Sequence, residues 1–164
     1  MFFYATSSRF TGNLKIRPFS DTNNPKWLEL MAKWVEDKWG YIRGFPGLEY
    51  RKGAITAIQS HFYVITYGEP QQLIGMFALF DYHSFSSKIN AKELMYVYLE
   101  ESFRGLGIGK HIIESAKKIS ESQGASMVVL DTLNPNLNHF YERCGAKVIC
   151  EGQLLKHPTT VLRM

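Results

Sequence analysis

Cysteine is scarce in this sequence, with only Cys144 and Cys150 among 164 residues. Two cysteines cannot build the framework of a disulfide-rich secreted domain, and their spacing matches no zinc motif. The five histidines are dispersed along the chain and indicate no metal site. We therefore expect a protein without a bound metal in a reducing, cytoplasmic environment.

Long apolar runs and a strong charge excess are also missing. No run approaches the ~18 apolar residues that span a bilayer, and the first residues lack a basic region followed by a long apolar core. We expect neither a membrane segment nor a signal peptide. The net charge of +4 suits an anionic ligand, but lysine and arginine form no run that would favour nucleic acid. The length predicts a single domain over residues 1–164, with residues 1–12 as a loose N-terminal arm.

Hydrophobic periodicity predicts a mixture of strands and helices. Strands are predicted at residues 14–19, 61–67, 72–82, 92–99, 126–132, 146–151 and 159–164, with a turn near His157-Pro158. Helices are predicted at 25–39, 48–59, 107–123 and 135–144, where Asn24-Pro25 and Asn134-Pro135 have the pattern of an N-cap followed by the first helical residue. The residues from Glu93 to Thr132 form a strand–helix–strand unit, which favours a parallel pair with a right-handed crossover.

A glycine-rich stretch joins the strand at 92–99 to the helix that follows. It reads Phe103-Arg104-Gly105-Leu106-Gly107-Ile108-Gly109-Lys110. Glycines allow a sharp turn, and a helix N-terminus offers unpaired N–H groups and a positive dipole end to a phosphate. The spacing fits neither a Walker loop, which needs Ser or Thr after the lysine, nor the dinucleotide fingerprint, whose third glycine is misplaced here. Glycines that simply end a strand are the other interpretation.

The remaining pattern, Arg104-x-x-Gly107-x-Gly109, resembles the loop of the GNAT superfamily of acyl-CoA-dependent N-acyltransferases. Two further segments are similar to that family. Asn134 to Ala146 resembles its Asn-x-x-Ala-x-x-hydrophobic-Tyr-Glu-x-x-Gly-Phe segment, and residues 14–19 resemble its opening strand. The resemblance covers about residues 13–164. Departures are Leu137 for a common Ala, Ala146 for a common Phe, and Glu100-Glu101 for a common Pro.

The resemblance implies an α/β fold with a central, mostly antiparallel sheet, one parallel and splayed strand pair, and helices on both faces. It implies an N-acetyltransferase that moves an acetyl group from acetyl-CoA to a primary amine of a small molecule or peptide. The amine would attack directly in a ternary complex.

The resemblance also implies which residues hold acetyl-CoA. Backbone groups of Val97 and Leu99 would bind its arm, and the Leu99 N–H would face the thioester carbonyl. The pyrophosphate would be held by backbone N–H groups of the loop, namely those of Arg104, Gly105, Leu106, Gly107, Ile108, Gly109 and Lys110. Asn134 either bonds the arm or acts only as an N-cap.

Tyr141 is the candidate general acid, since a phenol can protonate a departing thiolate. The competing interpretation is a tyrosine that packs in the core. Glu93 is the candidate base, because alternation along the strand places it on the face of Val97 and Leu99. A solvated Glu93, a base at Glu100 or Glu101, and ordered water stay open. An acyl-cysteine at Cys144 is disfavoured, because no histidine is tied to it by a motif.

Alternative functions are a non-catalytic acyl-CoA-binding sensor or scaffold, and a nucleotide-binding regulator. The acceptor amine is not identified by any motif. Five aromatic residues of the first helices and the following loop either line an acceptor pocket or pack in the core: Trp34, Trp39, Tyr41, Phe45 and Tyr50. A homodimer through sheet edges is compatible with the sequence.

Overall fold

A computed structural model describes residues 13–82 and 90–164 of the chain. The predicted N-terminal arm at 1–12 and the predicted polar connection at 83–89 lie outside the described residues. The strands are β1 (Leu14–Pro18), β2 (Phe62–Tyr67), β3 (Gln72–Tyr82), β4 (Ala91–Leu99), β5 (Met127–Thr132), β6 (Lys147–Leu154) and β7 (His157–Arg163). The α-helices are α1 (Pro25–Trp39), α2 (Leu48–Ala57), α3 (Ile108–Ser122) and α4 (Asn138–Arg143). Within the described ranges, no helix is long and apolar enough to cross a membrane.

The strands form one seven-stranded mixed sheet in the order β1-β2-β3-β4-β5-β7-β6. Strands β4 and β5 pair in parallel, whereas β1–β2, β2–β3, β5–β7 and β6–β7 pair antiparallel. The parallel pairing is short, because it joins only residues 91–93 of β4 to residues 127–129 of β5. The predicted mixed α/β fold with one parallel pair is confirmed.

The described residues divide into two compact units. The first contains residues 13–78 and 96–109, and its core includes Phe62, Phe77 and Met31. The second contains residues 79–82, 90–95 and 110–164, and its core includes Ile112 and Leu162. The single domain over residues 1–164 stays a prediction.

Helix α1 has the bounds that its sequence predicts. The Asn24 side chain accepts hydrogen bonds from the N–H groups of Lys26 and Trp27. Directly after the helix, Gly40 has φ −58 and opens a 3-10 turn. A Cβ atom on Gly40 would lie 2.7 Å from Cδ1 of Phe45, so the Phe45 ring would have to move. The left-handed residue that ends this turn is Gly44, with φ 71.

The turn predicted near His157-Pro158 lies just before these two residues, which both belong to β7. The turn consists of Leu155 and Lys156, and Leu154 pairs directly with His157. A proline removes one hydrogen-bond donor from a strand. Pro158 is tolerated because β7 pairs with β5 only from Thr160 onward.

Candidate active site

In the first unit, the end of β4 is fixed by main-chain and side-chain hydrogen bonds. The N–H of Glu100 donates to the carbonyl of Ile74 on β3 at 2.8 Å. The Arg104 Nε donates to the carbonyl of Leu99 at 2.7 Å, and its guanidinium lies over the Tyr98 ring at 5.5 Å. The Arg104 side chain therefore folds back onto the strand, and the Arg104 backbone N–H donates to the carbonyl of Glu101 at 3.1 Å.

The glycine loop takes a conformation that requires glycine. Gly105 has φ 76 and Gly107 has φ 83, values that other residues rarely adopt. A Cβ atom on either residue would meet no atom within 4 Å, so the space beside both glycines is open. Helix α3 begins immediately after them at Ile108. Exposed N–H groups and the positive end of a helix dipole fit a pyrophosphate, and so this loop fits that part of coenzyme A.

The alternation of side chains along β4 is interrupted at Tyr96, which has φ 54. Tyr96 packs against Trp39 at 5.3 Å and Phe62 at 5.7 Å, and Tyr98 packs against Trp34 at 4.6 Å, so both tyrosines face the aromatic residues of the first unit. The alternation on which we placed Glu93 with Val97 and Leu99 therefore does not hold. The role of Glu93 stays a prediction.

In the second unit, Glu93 is the last residue of β4 that pairs with β5. Its side chain is half-buried, and desolvation, together with the nearby charge of Asp131, raises the pKa of its carboxyl. The Asp131 carboxylate accepts a hydrogen bond from the Thr159 hydroxyl at 3.0 Å. A raised pKa makes the Glu93 carboxylate a better proton acceptor than an ordinary glutamate.

Tyr141 lies on α4 and is only 7% exposed. Burial, with a smaller contribution from Cys144, raises the pKa of its phenol to about 12. The phenol therefore keeps its proton at every physiological pH. Burial also raises the pKa of the Cys144 thiol, and the Lys110 charge offsets part of this effect. A thiol with a raised pKa is a weak nucleophile, which agrees with the interpretation that Cys144 forms no acyl intermediate.

Asn134 acts as a helix cap in the structure, because its side chain accepts a hydrogen bond from the Asn136 N–H at 3.0 Å. Asn138, which no sequence motif singles out, makes more side-chain hydrogen bonds than Asn134. Its amide oxygen accepts from the Thr132 hydroxyl on β5, and its Nδ2 donates to the Thr160 hydroxyl on β7 at 3.2 Å. Asn138 therefore ties the start of α4, and with it the helix of Tyr141, to two strands.

The five aromatic candidates for an acceptor pocket separate into two groups. Trp34 and Trp39 pack against the tyrosines of β4. Tyr41, Phe45 and Tyr50 are instead exposed at 44%, 65% and 53%. Sequence reasoning also missed a largely buried ion pair, in which Arg51 Nε lies 2.8 Å from Glu36 Oε2.

Comparisons with known proteins agree with this architecture. Residues 27–146 match the model of the acetyltransferase (GNAT) family. No curated protein matches the chain by sequence.

Three solved structures show the same fold at low sequence identity. An aminoglycoside 6'-N-acetyltransferase complexed with coenzyme A is 17% identical, with a TM-score of 0.70 over 92% of this chain and 96% of that chain. The NatC complex bound to Gag peptide and CoA is 16% identical, with a TM-score of 0.69 over 93% and 98%. Ard1 from Thermoplasma volcanium is 15% identical, with a TM-score of 0.68 over 93% and 97%.

The matched segment covers most of the chain and includes the glycine loop, Glu93 and Tyr141. The resemblance found in the sequence is thus confirmed, and so is the expectation of an acetyl-CoA-dependent acyltransferase. The chain belongs to the acetyltransferase (GNAT) family.

Proposed function

We propose that this acetyltransferase moves the acetyl group of acetyl-CoA to a primary amine by direct attack of the amine in a ternary complex. Acetyl-CoA supplies an activated acyl carbon. The amine nitrogen forms the new N–C bond, the C–S bond of the thioester breaks, and the sulfur takes its electron pair. One proton must leave the amine, and one must reach the sulfur.

The backbone of Val97 and Leu99 is proposed to bind the arm of acetyl-CoA, with the Leu99 N–H as donor to the thioester carbonyl. The N–H groups from Gly105 to Lys110 would hold the pyrophosphate, since the Arg104 N–H already donates to the Glu101 carbonyl. Asn134 would bind the arm. The open space beside Gly105 supports this assignment. So does the hydrogen bond of Arg104 to Leu99, since it fixes the strand end at which the carbonyl would be polarised.

Tyr141 is proposed as the general acid that protonates the departing thiolate. The observation that carries this proposal is the position of Tyr141, a buried residue of α4 inside the segment that matches the family, where its phenol holds a proton at neutral pH. Glu93 is proposed as the base that removes the ammonium proton, directly or through water. Its raised pKa supports this role.

The test is Tyr141→Phe, with Tyr63→Phe as a matched control, because both tyrosines are 7% exposed. General acid catalysis contributes about 100- to 10,000-fold, so Tyr141→Phe should lower kcat by at least about 100-fold. Tyr63→Phe should change kcat by less than about 3-fold. Acetyl-CoA at about 100 times its Kd should stabilise each protein by about 2.7 kcal/mol in a thermal melt.

The alternative function is a non-catalytic module that binds acyl-CoA as a sensor or scaffold. In that case, the wild-type protein would gain stability from acetyl-CoA, release no thiol with any amine, and give the same result after Tyr141→Phe. Turnover in the wild type that survives Tyr141→Phe would instead refute the role of Tyr141 and leave the transferase function standing.

A further inference from the structure

One face of the sheet in the second unit places a second carboxylate beside Glu93. Glu93 on β4 pairs with Val129 on β5, and paired residues of neighbouring strands point to the same face. Because side chains alternate along a strand, Asp131 lies on this face as well, two residues beyond Val129. The spacing of strands and residues puts the Cα atoms of Glu93 and Asp131 roughly 8 Å apart. The two carboxylates are therefore neighbours on one face.

The Asp131 carboxylate is exposed, but its orientation is fixed by two further strands. It accepts a hydrogen bond from the Thr159 hydroxyl on β7 at 3.0 Å, and Thr159 is only 5% exposed. Gly152 on β6 pairs with Thr159, and a Cβ atom on Gly152 would lie 2.8 Å from the Thr159 hydroxyl oxygen. Glycine at this position therefore leaves the hydroxyl the room it needs to donate to Asp131.

The other charged groups of the neighbouring strands lie further away or on the opposite face. The basic groups that share the face are one and two strands beyond Asp131, namely Arg163 on β7 and Lys147 on β6. Lys92 precedes Glu93 and therefore points to the opposite face, where it donates to Asp81 of β3 at 2.6 Å. Asp131 is thus the charged side chain that faces Glu93 from the sheet.

Helix α4 and the charges next to it also belong to the opposite face. Asn138 at the start of α4 is hydrogen-bonded to Thr132 and Thr160, and these residues alternate with those on the face of Glu93. Two charged side chains of α3 act on Cys144, directly after α4: Lys110 and Glu114. Burial and the Asp131 charge are the two causes that raise the pKa of Glu93.

A carboxylate beside a half-buried base favours the uptake of a proton by that base. When Glu93 and Asp131 are both ionised, two like charges face each other, and protonation of one relieves the repulsion. Asp131 is exposed, so water solvates its charge, whereas Glu93 is half-buried and gains more from neutralisation. Glu93 is therefore the member of the pair that takes the proton.

We propose that Asp131 is a positioning residue of the acetyl transfer: held by Thr159, its charge promotes the transfer of the acceptor's proton to Glu93. The inference rests on the proposed function. An N–H bond of the ammonium breaks, the proton binds a Glu93 oxygen, and the electron pair stays on nitrogen. The nitrogen then bonds to the acyl carbon, and the departing thiolate takes a proton from Tyr141. Asp131 neither gains nor loses a proton.

The first experiment follows the Glu93 carboxyl carbon by NMR as a function of pH, with Glu93→Gln to assign the signal. The test variant is Asp131→Asn, which removes the charge and keeps an oxygen that can accept from Thr159. Its midpoint should lie below that of the wild type and above the ordinary 4.5, because burial of Glu93 remains. The same midpoint in Asp131→Asn and in the wild type would overturn the inference.

The matched control is Glu151→Gln, which removes one exposed carboxylate from the same unit. Glu151 on β6 pairs with Thr160, and therefore lies on the face opposite to Glu93 and Asp131. Its replacement should leave the Glu93 midpoint where the wild type has it. An equal shift in both variants would show a general effect of net charge and would overturn the role of Asp131.

The second experiment measures how kcat for thiol release depends on pH at saturating acetyl-CoA. The probe amines are glycinamide, phenylethylamine, spermidine and the amide of N-acetyl-lysine, and the profile is recorded with the most active one. Asp131→Asn should move the acid limb of kcat to lower pH and lower kcat on the plateau about 3- to 10-fold, because a weaker base accepts the proton less readily. Glu151→Gln should change neither. A residue that only stabilises the fold would leave the acid limb in place.

Failure of this inference can be distinguished from failure of the proposed function. If Asp131→Asn lowers the NMR midpoint but leaves the acid limb of an active enzyme in place, Glu93 is not the base and Asp131 has no part in the reaction, while acetyl transfer stands. If no probe amine is acetylated by the wild type, the proposed function is refuted, and this inference falls with it.

Discussion

Replacing Gly75 by alanine places a methyl group against the backbone of β4. The new Cβ would lie 2.6 Å from the carbonyl oxygen of Tyr98, and 3.3 and 3.4 Å from methyl carbons of Ile65 and Leu99. Ordinary contacts begin near 3.4 Å, so β3 and β4 must separate by about 0.8 Å. The neighbouring hydrogen bond from the Glu100 N–H to β3, now 2.8 Å long, would then stretch beyond its favourable range.

Overpacking of this kind costs about 1–3 kcal/mol, and the weakened hydrogen bond adds about 1 kcal/mol. For a chain of this length, each kcal/mol lowers Tm by about 2–4 °C, so Gly75→Ala should melt about 4–16 °C below the wild type. The displaced strand carries Val97 and Leu99, and we therefore also expect weaker binding of acetyl-CoA.

Gly53→Ala is the matched control, because it should change stability in the opposite direction. Gly53 lies inside α2, and a Cβ atom there would meet nothing within 4 Å. Alanine in such a position stabilises a helix by about 0.4–1 kcal/mol. The two variants are compared by thermal melting and by acetyl-CoA titration. A Gly75→Ala protein that melts at or above the wild-type temperature would show that β3 and β4 do not approach as described.

Three further predictions concern buried polar groups. Glu36→Gln leaves the Arg51 cation without its carboxylate partner, and urea unfolding should show that the free energy of unfolding falls by about 3 kcal/mol. A fall of less than about 1 kcal/mol would mean that the pair is not buried. Asn138→Leu should lower the free energy of unfolding by about 2 kcal/mol, because the buried Thr132 hydroxyl loses its partner. In a Thr132→Val background the same substitution should cost much less. Equal costs in both backgrounds would contradict the hydrogen bond between the two side chains. Ionising a carboxyl whose pKa is raised by folding lowers the free energy of unfolding as pH rises through that pKa. Glu93→Gln should therefore stabilise the protein at neutral pH but not below pH 4.5, the ordinary pKa of the group. A gain in stability that is the same at pH 4 and pH 7 would refute the raised pKa.

Local chemistry explains which elements the sequence predicts well. Asn24 and Pro25 predict the start of α1 correctly, because an N-cap and a first-turn proline depend only on neighbouring residues. The glycine loop and the helix after it are predicted for the same reason. Tyr141 was found through its spacing from Asn134, which predicts a helix at this point, but the pKa of its phenol depends on burial that no spacing reveals.

What the sequence does not predict depends on residues far apart in the chain or on backbone conformation. Arg51 reads as a solvated helix residue until it is placed beside Glu36, which precedes it in another helix. Nothing in the residue type of Tyr96 indicates a left-handed conformation inside a strand. In that conformation Tyr96 packs against Trp39 and Phe62, and the alternation argument for Glu93 does not hold.

The position of β7 between β5 and β6 limits how the second unit can open. Among the strands of residues 13–82 and 90–164, β6 pairs only with β7, while β7 also pairs with β5. The main chains of Val128 and Met164 exchange hydrogen bonds of 3.0 and 2.8 Å. When β7 leaves the sheet, β6 must leave with it, whereas β6 can separate alone. Amide protons that β6 donates to β7 should therefore exchange with solvent at least as fast as those that β7 donates to β5.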